Sequence, residues 1–551
     1  MKLRSLFVTA GVAAALVLTG CSGSTGGGGS EPGAALTIAK PDGAITTESH
    51  NPYQAESSAS KYAYRMVIFE SIALVNPTGD LGTTPWLAES VEWNEDYTQL
   101  TAVARSGVNW SDGEPFTADD IAFSFNQVLS GKLADTNALD LAAVNLDGDT
   151  VTIEFNSSKF TQQARVLHFQ IVPEHIWADI ADPNTDPLTG EGQAVGTGPY
   201  VLDNWSTESV SLTANPDYWG GELAVPQLNY VSYGDNAALT TALVSGDADW
   251  AQAFIPQIEA SYLSADESNQ YLISPTAGAA TLFMNLQQKP FNDPALRQAL
   301  AWTIDRQAYV DIAREGASEA VWNVTGLGEL LSSEIISDYQ GADYSVDVER
   351  ARGILEVAGY TWNGDDALVD PDGEVVSFSL SVPAGWSDWN TEQALIAEEL
   401  KEGLGIEVEI DQPDWGGWDA ARQEGTFDAI IHWLEDSGNA YGLYTSTMDP
   451  KWIIDGRASF NFGRFDDPAV TAALNTYANA SSDEERGEAS AVLQTAFAEN
   501  VPAIPLGAHP LLGEFNTRNY VGWPGEGDLY ASGDPTQPGI VLILTQLTPA
   551  S

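Results

Sequence analysis

A single cysteine in 551 residues, Cys21, limits how this chain can hold itself together. No intramolecular disulfide is possible, so stability must come from burying apolar surface. Enough chain is present for that: about 520 residues follow residue 33, and single cores stop growing near about 250–300 residues. Two or more lobes are therefore expected. A hydrophobic content of 43% with 10% aromatics is ordinary for a globular protein.

The N-terminus reads as an address. Lys2 and Arg4 form a short positive region, and Leu6 through Leu18 run almost without polar interruption. A membrane-spanning helix needs roughly 20 apolar residues, so this run reads as the core of a secretory signal. It ends in Leu18-Thr19-Gly20-Cys21, which resembles the cleavage and lipidation site of bacterial lipoprotein precursors. That resemblance implies a signal peptide over 1–20, a diacylglycerol on Cys21 and a lipid anchor at the extracytoplasmic face of the cell membrane. Residues 21–33 are rich in Gly and Ser and read as a flexible tether. No later segment reaches 18 consecutive apolar residues.

Charge narrows the partners. Losing Lys2 and Arg4 with the leader leaves 20 basic against 78 acidic residues, a formal −58. Such a surface repels nucleic acid and anionic lipid, which require Lys/Arg patches. It reads as a solvated acidic surface.

Short strands alternate with helices throughout, which argues for α/β lobes. Thr150–Phe155 alternates apolar and polar residues behind Asp147-Gly148, predicting one arm of a hairpin. Thr117-Ala-Asp-Asp120 has capping-box character ahead of Ile121, Phe125 and Val128. Asp293-Pro294 opens a helix that turns Leu296, Ala299 and Leu300 inward. Val348, Ala351, Leu355 and Ala358 mark another, stopped by Gly359. A further helix is predicted from about Thr391 to Leu400, with a strand over Ile406–Ile410.

Catalytic constellations are missing. Five histidines, His50, His168, His175, His432 and His509, show no HExxH spacing and read as surface or packing residues. No P-loop, G-x-S-x-G or G-x-G-x-x-G occurs, since Gly196-Thr-Gly-Pro-Tyr200 fails the last pattern. Asp370-Pro-Asp-Gly-Glu374 lacks the remaining ligands of a calcium loop and reads as a turn. The expectation is a non-enzyme without cofactor or metal. Acidic residues are too abundant for any carboxylate pair to speak for glycosidase chemistry.

Trp110-Ser-Asp-Gly-Glu-Pro followed by Thr117-Ala-Asp-Asp120 resembles the signature region of the family 5 solute-binding proteins, the oligopeptide and dipeptide binders of ABC importers. Further matches follow in the family's order: Gly196–Tyr200, Asn215–Gly221, Ser245–Asp249, Phe283-Met-Asn285, Pro290–Arg306, Ala358–Tyr360 and Val501–Leu506. The resemblance covers essentially the whole chain after the tether, and its motifs read mostly as scaffold. It implies a two-lobed α/β binding-protein fold (class II) with the ligand cleft between the lobes. Lobe I is expected over 34–275, with an extra subdomain over roughly 55–190, lobe II over 276–504, and a return to lobe I over 505–551. It also implies a monomer that closes on a small oligomeric ligand and docks on a membrane permease.

The ligand class stays open between oligosaccharide and oligopeptide. Trp386, Trp389, Trp415, Trp418 and Trp433 fall within 48 residues, two pairs at i, i+3 in turn-like surroundings. Indole faces suit pyranose rings, and Asp388, Asn390, Asp436 and Asn439 are candidates for binding hydroxyls. Val382–Trp389 and Tyr520–Pro524 resemble segments of the family's branch that takes cello- or chito-oligosaccharides, which makes Trp523 a candidate stacking residue from lobe I. The competing reading is that these tryptophans pack the core. A hydrolase built on a binding-protein fold and a signalling receptor are the rivals from other classes.

Overall fold

The computed structural model describes residues 33–40, 43–76, 82–434, 438–480 and 482–551. Cys21, its leader and most of the tether lie outside them. Among the described residues no helix is long and apolar enough to cross a membrane.

Two large sheets organise the chain. A seven-stranded sheet takes strands from Leu36–Lys40, from four segments between Tyr200 and Ala251, from Asn269–Ser274 and from Leu511–Asn516. A five-stranded sheet takes Ala279–Met284, Ser377–Ser381, Glu407–Asp411, Ala429–Trp433 and Ala503–Ala508. Sheet membership thus changes between 274 and 279 and again between 508 and 511. Residues 505–508 were expected to return to the first lobe. They instead stay in the second sheet, because the 503–508 strand pairs with the 279–284 strand as far as Ala508 against Ala279.

The Ala279–Met284 strand is buried along its whole length, and period-2 alternation serves both faces. Ala280, Leu282 and Met284 enter a core that includes Leu296, Leu355 and Leu400 from three helices. Ala279 and Phe283 enter the opposite core with Tyr444, Val470 and Leu493. The second lobe is therefore helix, sheet and helix in three layers.

A separate four-stranded sheet, from Ala88–Trp93, Gln99–Ala104, Leu141–Asp147 and Thr150–Phe155, carries its own core under the Ala118–Leu129 helix. The hairpin expected at Gly148 is present, with Asp147 paired to Thr150. Thr117 and Asp120 form the reciprocal capping box. Helices also form at Pro294–Thr303 and Val348–Val357, the second followed by Gly359 at φ 93°.

The shared motifs hold this scaffold together. Ser111 N–H donates to the Gly196 carbonyl at 2.9 Å, joining the first motif to the second. Gly196 and Gly198 are required by close approach, since a Cβ there would lie 1.8 Å from Ile68 O and 2.3 Å from Val67 O. Arg306 Nε donates to Pro505 O at 3.0 Å, tying the Pro290–Arg306 motif to the late proline-rich strand.

Candidate functional site

The two crossings run side by side. Thr276 Oγ1 donates to His509 O at 2.8 Å, and His509 N–H donates to Gly278 O at 3.0 Å. Beside them lies a cavity of about 1110 Å³ with walls from both lobes. The first lobe contributes Gln252–Phe254, Asp534 and the 536–538 segment, and the four-stranded subdomain contributes Phe160–Arg165 and His168. The second lobe contributes Glu334, Trp386, Asp388, Trp389, Trp433 and Phe460. On the side carrying the subdomain the lobes touch again: Arg486 Cζ sits 3.6 Å from the centroid of the Phe160 ring.

The aromatic wall begins at a helix N-terminus, where a turn was expected. The helix runs Ser387–Leu404, one turn earlier than the sequence reading, with Trp386 at its N-cap position. Ser387 and Asp388 suit a first turn, where negative charge is favourable. Gly405, at φ 73°, stops the helix in a position where a Cβ would lie 1.9 Å from Asp366 O. Trp386 and Trp389 consequently share a face, with centroids 4.9 Å apart at 78°. Trp433, from the neighbouring strand, lies nearly parallel to Trp386 at 6.5 Å and 22°. His509 continues the row, 6.4 Å from Trp433 at 18°. Trp386 and Trp433 are half-buried, and Trp389 is buried behind them.

The other candidates divide. Trp418 is 1% exposed and donates Nε1 to Ser381 O, so it is core. Trp415, in the first turn of the Trp415–Glu424 helix, is 48% exposed and lies away from the cavity wall. Asn390 donates to Pro383 O at 3.0 Å, bracing the loop before the helix, and does not reach the wall. Asn439 lines the cavity and caps the Ala440–Met448 helix, accepting from Tyr441 N–H at 3.1 Å. Asp436 lies outside the described residues. Trp523 is the clear correction. Its half-buried ring stacks on Phe515 at 4.6 Å and meets Trp250 edge-on at 4.9 Å, packed against the first-lobe core, and it is not part of the cavity wall. The strand residues beneath it claim the indole face expected for ligand.

His168 and His509 were read as surface or packing residues, yet both line the cavity. His168 Nε2 accepts from Val75 N–H at 2.8 Å, and burial pushes its pKa down to about 4. Burial, with Arg314 nearby, holds His509 at about 3, so both rings are neutral near pH 7. Nothing local in the sequence marks either as a wall residue. The wall charges are engaged within the protein. Asp388 pairs with Arg314 at 2.5 Å, Glu334 accepts from Ala440 N–H at 3.1 Å, and Asp534 accepts from Thr536 at 2.7 Å. Arg165 Cζ lies 5.6 Å from the Trp452 centroid. Among the described residues no group of three His, Cys, Asp or Glu side chains could hold a metal ion.

Residues 82–453 match the model of the bacterial extracellular solute-binding proteins, family 5. The chain belongs to that family. This family 5 protein is 30% identical over 508 residues to protein XP55 of Streptomyces lividans, covering 88% of this chain and 86% of that one. It is 24% identical to the oligopeptide-binding protein OppA of Bacillus subtilis, over 92% and 94% of the two chains. Its fold matches a periplasmic oligopeptide-binding protein of Thermotoga maritima solved with mannohexaose bound, at TM-score 0.79 and 23% identity, covering 94% and 99%. It also matches Bacillus subtilis AppA in complex with a nonapeptide, at TM-score 0.73 and 19% identity, covering 95% and 100%. The family 5 fold is two-lobed α/β, and OppA, AppA and the Thermotoga protein are named as oligopeptide-binding proteins.

Proposed function

We propose that this family 5 protein captures a neutral oligosaccharide of the cello- or chito-oligosaccharide kind between its lobes and delivers it to the permease of an ABC importer. The observation that carries the reading is the row Trp386, Trp433 and His509 along one cavity wall. Flat rings in a row offer successive stacking faces to pyranose rings. Each charged group of the wall keeps a partner within the protein, so no free cation stands ready among the described wall residues for a ligand carboxylate. Closure excludes water, strengthening hydrogen bonds from ligand hydroxyls to Asp388 and Asn439. The protein acts as a monomer without cofactor, held at the outer face of the membrane through lipid on Cys21.

The second reading is an oligopeptide importer. It is favoured by relatives named as oligopeptide-binding proteins, such as OppA and AppA of Bacillus subtilis. Intrinsic tryptophan fluorescence and thermal shift of residues 34–551 against β-linked oligosaccharides and short peptides separate the two. A spectral shift with sugars supports stacking on Trp386 and Trp433. A response to peptides alone assigns those rings a packing role and overturns the sugar reading.

A further inference from the structure

Behind the aromatic wall, Arg314 is 4% exposed and reaches three partners. Nη1 donates to Asp388 Oδ2 at 2.5 Å, Nη2 lies 2.8 Å from Glu392 Oε1, and Nε donates to Tyr309 Oη at 3.0 Å. Asp388 and Glu392 stand one turn apart on the Ser387–Leu404 helix, so a single guanidinium bridges i and i+4. The Glu392 contact is close without hydrogen-bond alignment, whereas the Asp388 contact is aligned.

Burying such a triad is weak as a stability device, because apolar side chains of the same volume serve as well or better. What the triad does achieve is orientation. Oδ2 of Asp388 is taken by Arg314, while Oδ1 takes no hydrogen bond among the described residues and, unlike the Glu392 oxygens, is not sealed in the interior. Asp388 lines the same cavity as Trp386 and Trp389. His509, the next polar group along the wall, also feels the Arg314 charge, which opposes its protonation.

We propose that Arg314 is a specificity-determining positioning residue, holding the Asp388 carboxylate so that its open oxygen faces the ligand on the aromatic wall. A fixed carboxylate accepts hydrogen bonds from hydroxyl or ammonium groups and repels a ligand carboxylate. The wall therefore selects ligands whose units donate at that point and turns away their anionic counterparts. The choice of sugar probes rests on the oligosaccharide reading; the clamp itself is scored equally well on peptides.

The test measures affinity by calorimetry for two pairs of probes: mannohexaose against tetragalacturonate, and tetra-alanine against tetraglutamate. Wild type, Asp388→Asn, Arg314→Met and Arg314→Lys are compared, with melting temperature recorded for each. Wild type is expected to prefer the neutral member of its pair. Asp388→Asn and Arg314→Met should each reduce that preference at least tenfold, and Arg314→Lys should restore most of it. If Arg314→Met fails to fold, Asp388→Asn and Arg314→Lys carry the comparison. A preference unchanged in Asp388→Asn, or in a folded Arg314→Met, overturns the clamp, as does wild type preferring the acidic member. Binding of the peptide pair alone overturns the sugar reading while still scoring the clamp. No response to either pair overturns both.

Discussion

The contact between lobes away from the crossings yields a prediction with a magnitude. Arg486, on the Asp483–Asn500 helix of the second lobe, lies 3.6 Å from the Phe160 centroid, and Tyr97 meets the edge of the same ring at 5.3 Å and 79°. Ser158 N–H donates to Asn479 Oδ1 at 3.3 Å alongside. The Arg486 and Asn479 contacts exist only while the lobes are together, whereas the Tyr97 contact stays within the subdomain. The Arg486 side chain is 12% exposed, so its cation–π contact is largely desolvated and contributes about 1–2 kcal/mol to the closed form. Arg486→Met keeps most of the apolar volume and removes the charge. At about 1.4 kcal/mol per decade, affinity should fall by roughly 5- to 30-fold. Arg486 is not part of the cavity wall, so the loss should appear in the off-rate with the on-rate nearly unchanged. Stopped-flow tryptophan fluorescence reads both rates with mannohexaose, or with tetra-alanine should that be the ligand. Asp483, fully exposed and 2.8 Å from Arg486 within the same lobe, supplies the control. Asp483→Asn should leave affinity within twofold. An unchanged off-rate in Arg486→Met refutes the reasoning.

Three further outcomes are expected. Trp386→Ala should weaken sugar binding by about 1–3 kcal/mol in a calorimetric titration, because its ring lines the cavity. Trp523→Ala should instead leave affinity within twofold while costing about 1–3 kcal/mol of stability in denaturant titration, since its half-buried ring packs on Phe515 and Trp250 away from the cavity wall. Burial raises the Glu392 pKa to about 8 against the opposing pull of Arg314, so the folded state holds its proton more tightly than the unfolded chain does. Its contribution to stability is fully present below the unfolded value of about 4.5 and is lost as pH rises through about 8. Glu392→Gln should flatten the fall in melting temperature across that window.

Much of the scaffold was legible because its signals are local. Thr117 caps the helix it precedes, Asp293-Pro294 opens one, and Gly359 follows the end of another. The cavity was legible only in part. Trp386, Asp388, Trp389, Trp433 and Asn439 reach it, but the composition around Trp386 and Trp415 suggested turns where helices begin. Propensity favours Ser and Asp in both settings, and only the packed structure shows which is used. Trp523 misled for a different reason. Whether an indole faces ligand or core depends on what covers it, here Phe515 from a strand that also pairs with residues 269–274. Phe160, His168 and His509 carry no sequence signal at all, because the wall draws on segments hundreds of residues apart.

The Leu511–Asn516 strand sits inside the seven-stranded sheet, between Asn269–Ser274 and Trp250–Ala251. All five strands of the other sheet have been made by residue 508. A chain emerging from its N-terminus therefore completes its later lobe first. The earlier lobe waits with an unfilled slot until the last forty or so residues arrive, including the Ile540–Gln546 helix that its core needs. Until then Asn269–Ser274 has no strand beside it among the described residues, an invitation to mispairing. Truncation by even a few dozen residues at the C-terminus should accordingly damage the half of the molecule that was synthesised first.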